Sequence, residues 1–426
     1  MRSEPDVSWG EMWRAFGRIG LLSFGGPAAQ IALMHRELVD EKRWLEEQDY
    51  LRALSFCMLL PGPEAMQLAT YAGWRLKGVA GGLLAGLLFV LPGALVILAL
   101  AAAYVTWGHL AGVQALFVGV KACVAVIVVE ALLRVARRAL KGAAHRWIAA
   151  LTFVGLFFFG LPFPLLILLA AIAGMIVLPV APPSGVTLPP DAGHGHLPAT
   201  LGVGLGLWAA PLLALWLADQ GFLLTLGLFF SKLALVTFGG AYAVLAYMTQ
   251  AVVQDLGWLQ TGQMIDALGL AETTPGPLIL VTEFVAYVAG HGQGGAGLAL
   301  AAAALSLWVT FVPCFLWIFA FAPYIDKIAR RPRLQAALAG ITAAVVGVIG
   351  SLSLWFALHV LFARVSGITI GPLNLPWPVF ASLSLPSLAI MAFAAVLLLL
   401  RHWPLVRVLG LCAALGLAVQ AIPGAF

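Results

Sequence analysis

The stretch Leu59-Leu60-Pro61-Gly62-Pro63-Glu64 decides how this chain can fold, because it interrupts an apolar segment near its middle. Each proline removes a backbone N–H donor and clashes with the carbonyl four residues earlier, so a continuous helix stops there. The chain repeats the pattern 214 positions later as Thr273-Thr274-Pro275-Gly276-Pro277. Inside a membrane, such breaks are tolerated only where the freed backbone groups face protein or a polar cavity. We therefore expect two broken helices and place the candidate site at them.

The composition indicates an integral membrane protein. Of 426 residues, 62% are hydrophobic and 10% are charged, and the mean hydropathy is +1.02. These values exclude soluble globular and disordered chains. Apolar runs such as 78–105, 116–133 and 298–322 approach or exceed the roughly 20 residues that cross a bilayer as a helix. The predicted fold class is all-α, a polytopic membrane protein of about 13 helices, with the lipid bilayer as its surroundings.

The two halves of the sequence resemble each other, and self-similarity at a constant shift is the signature of an internal repeat. At a shift of 214 the aligned pairs are Arg18 with Lys232, Ser23 with Thr237, Phe24-Gly25-Gly26 with Phe238-Gly239-Gly240, and Trp44-Leu45 with Trp258-Leu259. After seven extra residues near His291, a shift of 221 aligns Pro92 with Pro313 and Gly119 with Gly340. The chain therefore contains a duplication.

A stretch rich in proline and glycine separates the halves. We divide the chain into an N-terminal membrane repeat at 1–180, a cytoplasmic linker at 181–198, an extra spanning helix at 199–220 and a C-terminal membrane repeat at 221–426. Six spans before the linker and one extra span make an odd number. The second repeat is therefore expected to be inverted relative to the first.

The basic residues give a second view of this topology, because Lys and Arg collect in cytoplasmic loops. With the loop at 134–146 in the cytoplasm, 16 of the 23 Lys and Arg residues fall inside, and Lys121 and Lys232 fall within the membrane. The five placed outside are Arg36, Lys42, Arg43, Arg52 and Arg364. The expected location is the inner membrane, with a cytoplasmic N-terminus and a periplasmic C-terminus. The net charge of +5 then reflects topology and predicts no nucleic-acid partner.

Paired broken helices in inverted repeats are typical of secondary transporters, whose binding site lies near the membrane midplane between the repeats. A channel is the alternative within this class. A membrane-embedded enzyme is disfavoured, because the chain has neither a His-Glu-x-x-His zinc motif nor a Gly-x-Ser-x-Gly turn. His194-Gly195-His196 supplies only two metal ligands without a third. We therefore expect no catalytic residues, no metal site and no cofactor.

The motifs Phe24-Gly25-Gly26-Pro27, Trp44-Leu45 and Pro61-Gly62-Pro63, repeated in the second half, resemble the chromate ion transporter family in its long form with two homologous domains. The resemblance covers nearly the whole chain. It implies export of chromate across the inner membrane, giving chromate resistance, with sulfate as the structural analogue. Ala241 follows the second Phe-Gly-Gly where Pro27 follows the first, so the two halves need not bind equivalently. A homodimer is the candidate assembly.

Chromate is a tetrahedral dianion that needs converging N–H, hydroxyl and cationic groups. Half-helices that restart after Pro63 and Pro277 present free N–H groups and a positive dipole end. The glycine pairs let backbone approach an ion closely, although close helix packing is the other explanation of such pairs. The predicted substrate-binding residues are Ser23, Phe24, Gly25, Gly26, Pro61, Gly62, Pro63, Lys121, Lys232, Thr237, Phe238, Gly239, Gly240, Thr273, Thr274, Pro275, Gly276 and Pro277.

Charged residues within the apolar segments are the remaining candidates, since a charge inside a membrane span is costly and indicates function. Arg18 is a further cation candidate, with snorkelling towards the interface as its alternative role. Glu64, Glu272 and Glu283 lie near the breaks and are candidate proton-coupling residues. Glu64 has a second interpretation, because a carboxylate at a helix start is stabilised by the helix dipole.

Overall fold

The computed structural model describes residues 7–179, 197–238, 241–325 and 331–420, without the side chains of Ala241 and Ala243. Gly239, Gly240, His194 and His196 lie outside these described residues. The helices are α1 (Trp9–Leu22), α2 (Gly26–His35), α3 (Glu47–Cys57), α4 (Glu64–Trp107), α5 (Ala111–Ala139), α6 (Ala143–Phe157), α7 (Phe163–Val177), α8 (Leu197–Leu217), α9 (Gly221–Val236), α10 (Ala241–Gln250), α11 (Thr261–Thr273), α12 (Val281–Phe321), α13 (Pro332–Leu361), α14 (Leu385–Ala395) and α15 (Leu405–Gln420).

This architecture confirms the predicted all-α polytopic membrane fold. Within the described ranges, five helices are long and apolar enough to cross a membrane, and shorter apolar helices accompany them. One small antiparallel hairpin of β1 (Val365–Ile370) and β2 (Leu373–Pro378) was not predicted. The hairpin follows α13 and turns at Gly371, whose φ is +59°. The backbone N–H of Asn374 in β2 donates to the Phe158 carbonyl at 2.7 Å.

Helices α4 and α12 each double back at one non-helical pair of residues. Lys77 and Gly78 have φ/ψ of −143°/31° and 62°/−154°, and Gly294 and Gly295 have −163°/23° and 74°/−164°. The positive φ at the second position requires glycine. The same turn is thus built once in each half, as a duplication predicts.

Close glycine contacts show that these turns reverse the chain. A β carbon on Gly73 would overlap the Gly81 carbonyl, and one on Gly290 would lie 2.9 Å from Cα of Ala299. Each long helix is therefore a hairpin of a short and a long arm, 64–77 with 78–107 in the first half. The short arm begins at the Pro-Gly-Pro break.

Helices α1 and α2 also fold back on each other. Arg18 Nη1 lies 2.8 Å from Glu37 Oε1, and the rings of Phe16 and Trp44 are 6.3 Å apart. If α2 continued in the direction of α1, a rise of 1.5 Å per residue would separate Arg18 from Glu37 by roughly 25 Å. The segment from Trp9 to residue 41 therefore returns to the side from which it started.

This hairpin corrects the predicted placement of the charged stretch at 36–52. Because Glu37 and Trp44 pack against Arg18 and Phe16 of α1, we now expect the stretch on the same side as the start of α1. The bases moved to the inner side are Arg36, Lys42, Arg43 and Arg52. Arg364 is then the one base of the sequence assigned outside, which agrees better with the positive-inside rule. The sequence prediction was wrong here because a broken helix that returns looks like one that crosses.

The contacts divide the chain into two compact units, and each takes segments from both halves. The first unit is Met1–Ala102, Ala181–Val244 and Leu270–Pro332, and the second is Ala103–Val180, Leu245–Gly269 and Arg333–Phe426. Both Pro-Gly-Pro breaks belong to the first unit. Lys121 belongs to the second.

In the second unit, α5 of the first half packs against α15, the last helix of the second half, and α13 of the second half packs against α7, the last helix of the first half. A side chain at any of four glycines would overlap a facing backbone carbonyl: Gly119 that of Cys412, Gly416 that of Ala115, Gly340 that of Ala170, and Gly174 that of Ala336. Gly119 and Gly340 are equivalent at the shift of 221, so the contacts are reciprocal. Small residues at membrane helix interfaces permit this close approach.

Candidate functional site

Both Pro-Gly-Pro triplets lie in helix breaks, as the sequence predicts. α3 ends at Cys57 before α4 begins at Glu64, and α11 ends at Thr273 before a 3-10 turn leads into α12. The central glycines have φ of +125° at Gly62 and +87° at Gly276. L side chains rarely adopt such angles, so glycine permits both turns.

A reciprocal pair of hydrogen bonds ties each break to the other half of the chain. The Gly62 amide donates to the Thr237 carbonyl at 2.7 Å, and the Gly276 amide donates to the Ser23 carbonyl at 2.9 Å. Donors and acceptors are equivalent pairs at the shift of 214. Exchange of identical contacts is what a two-fold axis produces. The first compact unit therefore contains a local pseudo-two-fold arrangement that joins both breaks to the segments before the Phe-Gly-Gly motifs.

Two buried glutamines that the sequence analysis missed hold the breaks. Gln30 Nε2 donates to the Gly276 carbonyl at 2.6 Å and to the Ser23 carbonyl at 3.2 Å. Gln67 Nε2 donates to the Pro61 carbonyl at 2.8 Å, and the buried Gln67 Oε1 has no hydrogen-bond partner within the described part of the chain. The equivalent positions in the second half are Val244 and Val281. The alignment of a glutamine in the first repeat with a valine in the second was the sequence feature that could have identified these two residues.

The four predicted hydroxyl ligands use their protons within the helices. Ser23 Oγ donates to the Ile19 carbonyl at 2.6 Å, and Thr237 Oγ1 donates to the Leu233 carbonyl at 2.7 Å. Thr273 and Thr274 both donate to the Leu270 carbonyl, at 2.7 and 2.8 Å. Each hydroxyl has a single proton. Donation to an oxyanion therefore requires these hydroxyls to rotate away from their helices.

Uncapped helix starts supply the other donors. α2 begins at Gly26, after Gly25 with φ +87°, and no side chain caps it. The first N–H groups of a helix have no acceptor within the helix, and its N-terminal end attracts anions. Phe24 is exposed beside this start, and Phe238 is partly buried at the equivalent position. These features fit backbone donation to an oxyanion.

The predicted charged residues of the first unit have different surroundings. Arg18 pairs with Glu37, whose side chain is 1% exposed, so the guanidinium neutralises a buried acid. Lys232 is exposed on α9. Glu64 is partly buried at the first position of α4, and Glu272 is buried at the end of α11. Glu283 is 1% exposed, and its Oε2 has no hydrogen-bond partner among the described residues.

The second unit contains an ion pair and a cavity. Lys121 Nζ lies 3.0 Å from Asp266 Oδ1, and Tyr104 donates to Asp266 Oδ2 at 2.8 Å. A cavity of about 540 Å³ lies between the end of α6, α10, α13 and the β-hairpin, with His359 and Asn374 among its polar lining. Neither Asp266 nor Tyr104 was predicted from the sequence as a site residue. In the searched part of the chain no group of three metal-binding side chains occurs.

Comparison with known sequences identifies related proteins. The family profile described as "Chromate transporter" matches residues 10–175 and 224–417, one match in each half of the sequence. A chromate transport protein of Pseudomonas aeruginosa is 34% identical over 384 residues, which cover 86% of this chain and 85% of that protein. A chromate transport protein of Cupriavidus metallidurans is 33% identical over 350 residues, 82% of each chain.

A shorter relative bears on the duplication. The uncharacterized transporter YwrB of Bacillus subtilis is 32% identical over 161 residues, which are 38% of this chain but 79% of that protein. A sequence with the length of one repeat therefore exists on its own. No solved structure matches the chain significantly.

Proposed function

This chain belongs to the chromate transporter family, and from that membership we propose that it is a secondary transporter that exports chromate across the inner membrane. The reciprocal helix breaks of the first compact unit carry the proposal. They place helix starts, whose first N–H groups have no acceptor within the helix, at positions that the duplication supplies twice. Binding of a soluble partner does not explain why helices break inside membrane-spanning segments, whereas binding of a transported ion by the freed backbone groups does.

The proposed substrate site consists of the two breaks and the segments bonded to them. Pro61–Pro63 and Thr273–Pro277 form the breaks, and Ser23–Gly26 and Thr237–Phe238 adjoin them. Backbone N–H groups at helix starts suit a tetrahedral oxyanion, because they are fixed donors beside a positive dipole end. Gln67 adds a buried amide next to Pro61. Lys232, which is exposed on α9, is the cation that we assign to the substrate.

The membrane potential is sufficient to drive chromate outward. At about 100 mV, negative inside, each charge that crosses is worth about 2.3 kcal/mol, so a dianion gains about 4.6 kcal/mol on leaving the cell. Uptake against this potential would need accompanying cations. Glu64, Glu272 and Glu283 remain candidates for proton coupling, and Glu283 is the best placed because it is buried and its Oε2 has no hydrogen-bond partner among the residues that the structure describes.

Transport into inside-out membrane vesicles tests the function. Chromate should accumulate when an interior-positive potential is imposed, and a protonophore should reduce the flux by collapsing that potential. Vesicles with Gly62→Ala at the first break serve as the matched control. Absence of chromate uptake in wild-type vesicles, with the protein present in the membrane, would contradict the proposal.

Transport of sulfate or another small oxyanion is the second candidate function. Sulfate has the same tetrahedral shape and charge as chromate, and the backbone amides and glutamines at the breaks do not distinguish the two ions. Counterflow of labelled sulfate against chromate would identify a carrier that accepts both. Flux without saturation or counterflow would instead indicate a channel.

A further inference from the structure

Asp266 is a buried carboxylate at the centre of a charged cluster in the second compact unit. The residue is 6% exposed on α11, and its carboxylate touches Lys121 of α5 and Tyr104 near the end of α4. The Lys121 side chain is 26% exposed, so one side of the ammonium remains open. A fixed carboxylate therefore occupies part of the space that an anion would take beside this cation.

The charges explain why this arrangement matters for transport. A lone ammonium within a membrane span is costly, and Asp266 neutralises it. An oxyanion that binds Lys121 must compete with Asp266 for the charge of the same ammonium group. A displaced carboxylate would keep the neutral Tyr104 hydroxyl but lose its compensating charge while still buried, which is strongly unfavourable. Displacement therefore occurs at low cost only if Asp266 becomes neutral by taking up a proton.

We propose that Asp266 is a tethered counter-anion and proton acceptor that gives up Lys121 to a transported oxyanion. The inference rests on the proposed function, because its ligand is that transporter's substrate. In the empty protein the carboxylate pairs with the ammonium. One proton converts the carboxylate to the acid, which remains in contact with the Tyr104 hydroxyl, and the ammonium then binds one oxyanion. Proton and oxyanion binding thus assist each other.

The packing around the carboxylate fits this role. Within the described part of the chain, the titratable groups in contact with it are Lys121 from α5 and Tyr104 from α4. Gly262 of α11 also lies near Lys121, because a β carbon added there would be 4.0 Å from Lys121 Nζ. Further along α11, a β carbon added to Gly269 would lie 2.8 Å from the Val120 side chain of α5. The contact between α11 and α5 is therefore apolar at this position.

The duplication shows that the pair is not required to build a repeat. At the shifts of 221 and 214, Lys121 and Asp266 align with Thr342 and Arg52. Thr342 donates to the Leu338 carbonyl of its own helix, and Arg52 pairs with Asp49 one turn away. The second copy of the fold thus forms without this ion pair. A role in ion handling accounts for its presence in one position only.

Oxyanion binding as a function of pH tests the inference in the purified full-length protein in proteoliposomes. Labelled sulfate and chromate are the probes, each measured between about pH 6 and pH 8. In the wild type the apparent affinity should rise as the pH falls, by up to tenfold per pH unit, because one proton is bound with each oxyanion. Asp266→Asn should bind tightly at every pH. Lys121→Gln should lose at least tenfold in affinity.

Three further variants separate this role from a structural one. Glu130→Gln removes an ion pair with Arg134 on the same helix and should keep the wild-type pH profile. If Asp266→Asn fails to insert, K121Q/D266N has no unpaired charge and should show weak binding without pH dependence. A wild-type pH slope in either Asp266 variant, or wild-type binding by K121L/D266L, would overturn the inference. Loss of oxyanion transport in the wild type would instead overturn the proposed function.

Discussion

At the scale of single residues, equivalent positions in the two repeats have different roles. Arg18 and Lys232 align in the sequence, and both were predicted as cations for the substrate. The structure shows Arg18 bound to Glu37, a residue whose equivalent in the second half is the uncharged Ala251. Equivalent cations therefore lie in different surroundings, since Glu37 pairs with Arg18 and the position equivalent to Glu37 is alanine.

Lys232→Gln is expected to abolish chromate export while the protein still inserts normally. The substitution removes the cation assigned to the dianion but keeps a polar side chain of similar length. Chromate uptake into inside-out vesicles and the amount of protein in the membrane are the two measurements. Wild-type flux in this variant would remove Lys232 from the proposed site.

Arg18→Gln is expected to lower stability rather than substrate binding. It leaves the buried Glu37 carboxylate unpaired, which costs about 1–3 kcal/mol when a buried acceptor loses its partner. Thermal unfolding in detergent measures the loss. The double variant R18Q/E37Q should recover most of it, since no buried charge is then left alone. A stable Arg18→Gln protein with weakened chromate affinity would reverse the two assignments.

At the scale of elements, the breaks depend on glycine as much as on proline. Proline explains why each helix stops, and this is local chemistry that the sequence reveals. Glycine explains how the chain turns at the break and how other segments approach it. A β carbon on Gly62 would lie 2.8 Å from Cys314 Sγ and 2.9 Å from Gln67 Nε2. The break is thus part of a packed structure and not an open loop.

Gly62→Ala is therefore expected to reduce chromate transport at least tenfold and to destabilise the protein. The left-handed backbone conformation alone costs about 1–2 kcal/mol for a residue with a side chain, and the contacts with Cys314 and Gln67 add to this. Gly112→Ala, at the start of α5 with no atom within 4 Å of its added β carbon, is the matched control. Equal transport by the two variants would show that the first break tolerates a side chain.

At the scale of the whole molecule, the hairpin of α1 and α2 changes the topology without removing the inversion. Glu46 belongs on the side where α1 starts, because residue 44 lies beside Phe16. The inverted second repeat stays a prediction, and it now requires that the broken segment from α3 to residue 77 returns in the same way, which leaves four spans and the extra helix α8, an odd number. The basic residues of the sequence then collect almost entirely on one side.

Single cysteines in a cysteine-free background test this arrangement. Glu46→Cys and Ser8→Cys are expected to react with an impermeant thiol reagent from the cytoplasmic side, and Gln260→Cys from the periplasmic side. Labelling is compared in intact cells and in inside-out vesicles. Reaction of positions 46 and 260 from the same face would be incompatible with inverted repeats.

The sequence by itself determined the all-α membrane fold, the duplication and both helix breaks. Hydropathy, proline chemistry and a constant shift between repeats are read from neighbouring or regularly spaced residues, so no tertiary contact is needed to find them. The return of α2 along α1 was missed, because a reversed helix and a crossing helix have the same local pattern.

Only the tertiary structure decided which groups meet. Gln30 reaches Gly276 across 246 positions, and Tyr104 reaches Asp266 across 162. No sequence period links such pairs, since their contact depends on how helices from both halves pack together. For the same reason Arg18, Lys121 and Lys232 looked alike in the sequence as charges in apolar segments. In the folded chain, Arg18 forms an ion pair with Glu37, and Lys121 forms one with Asp266.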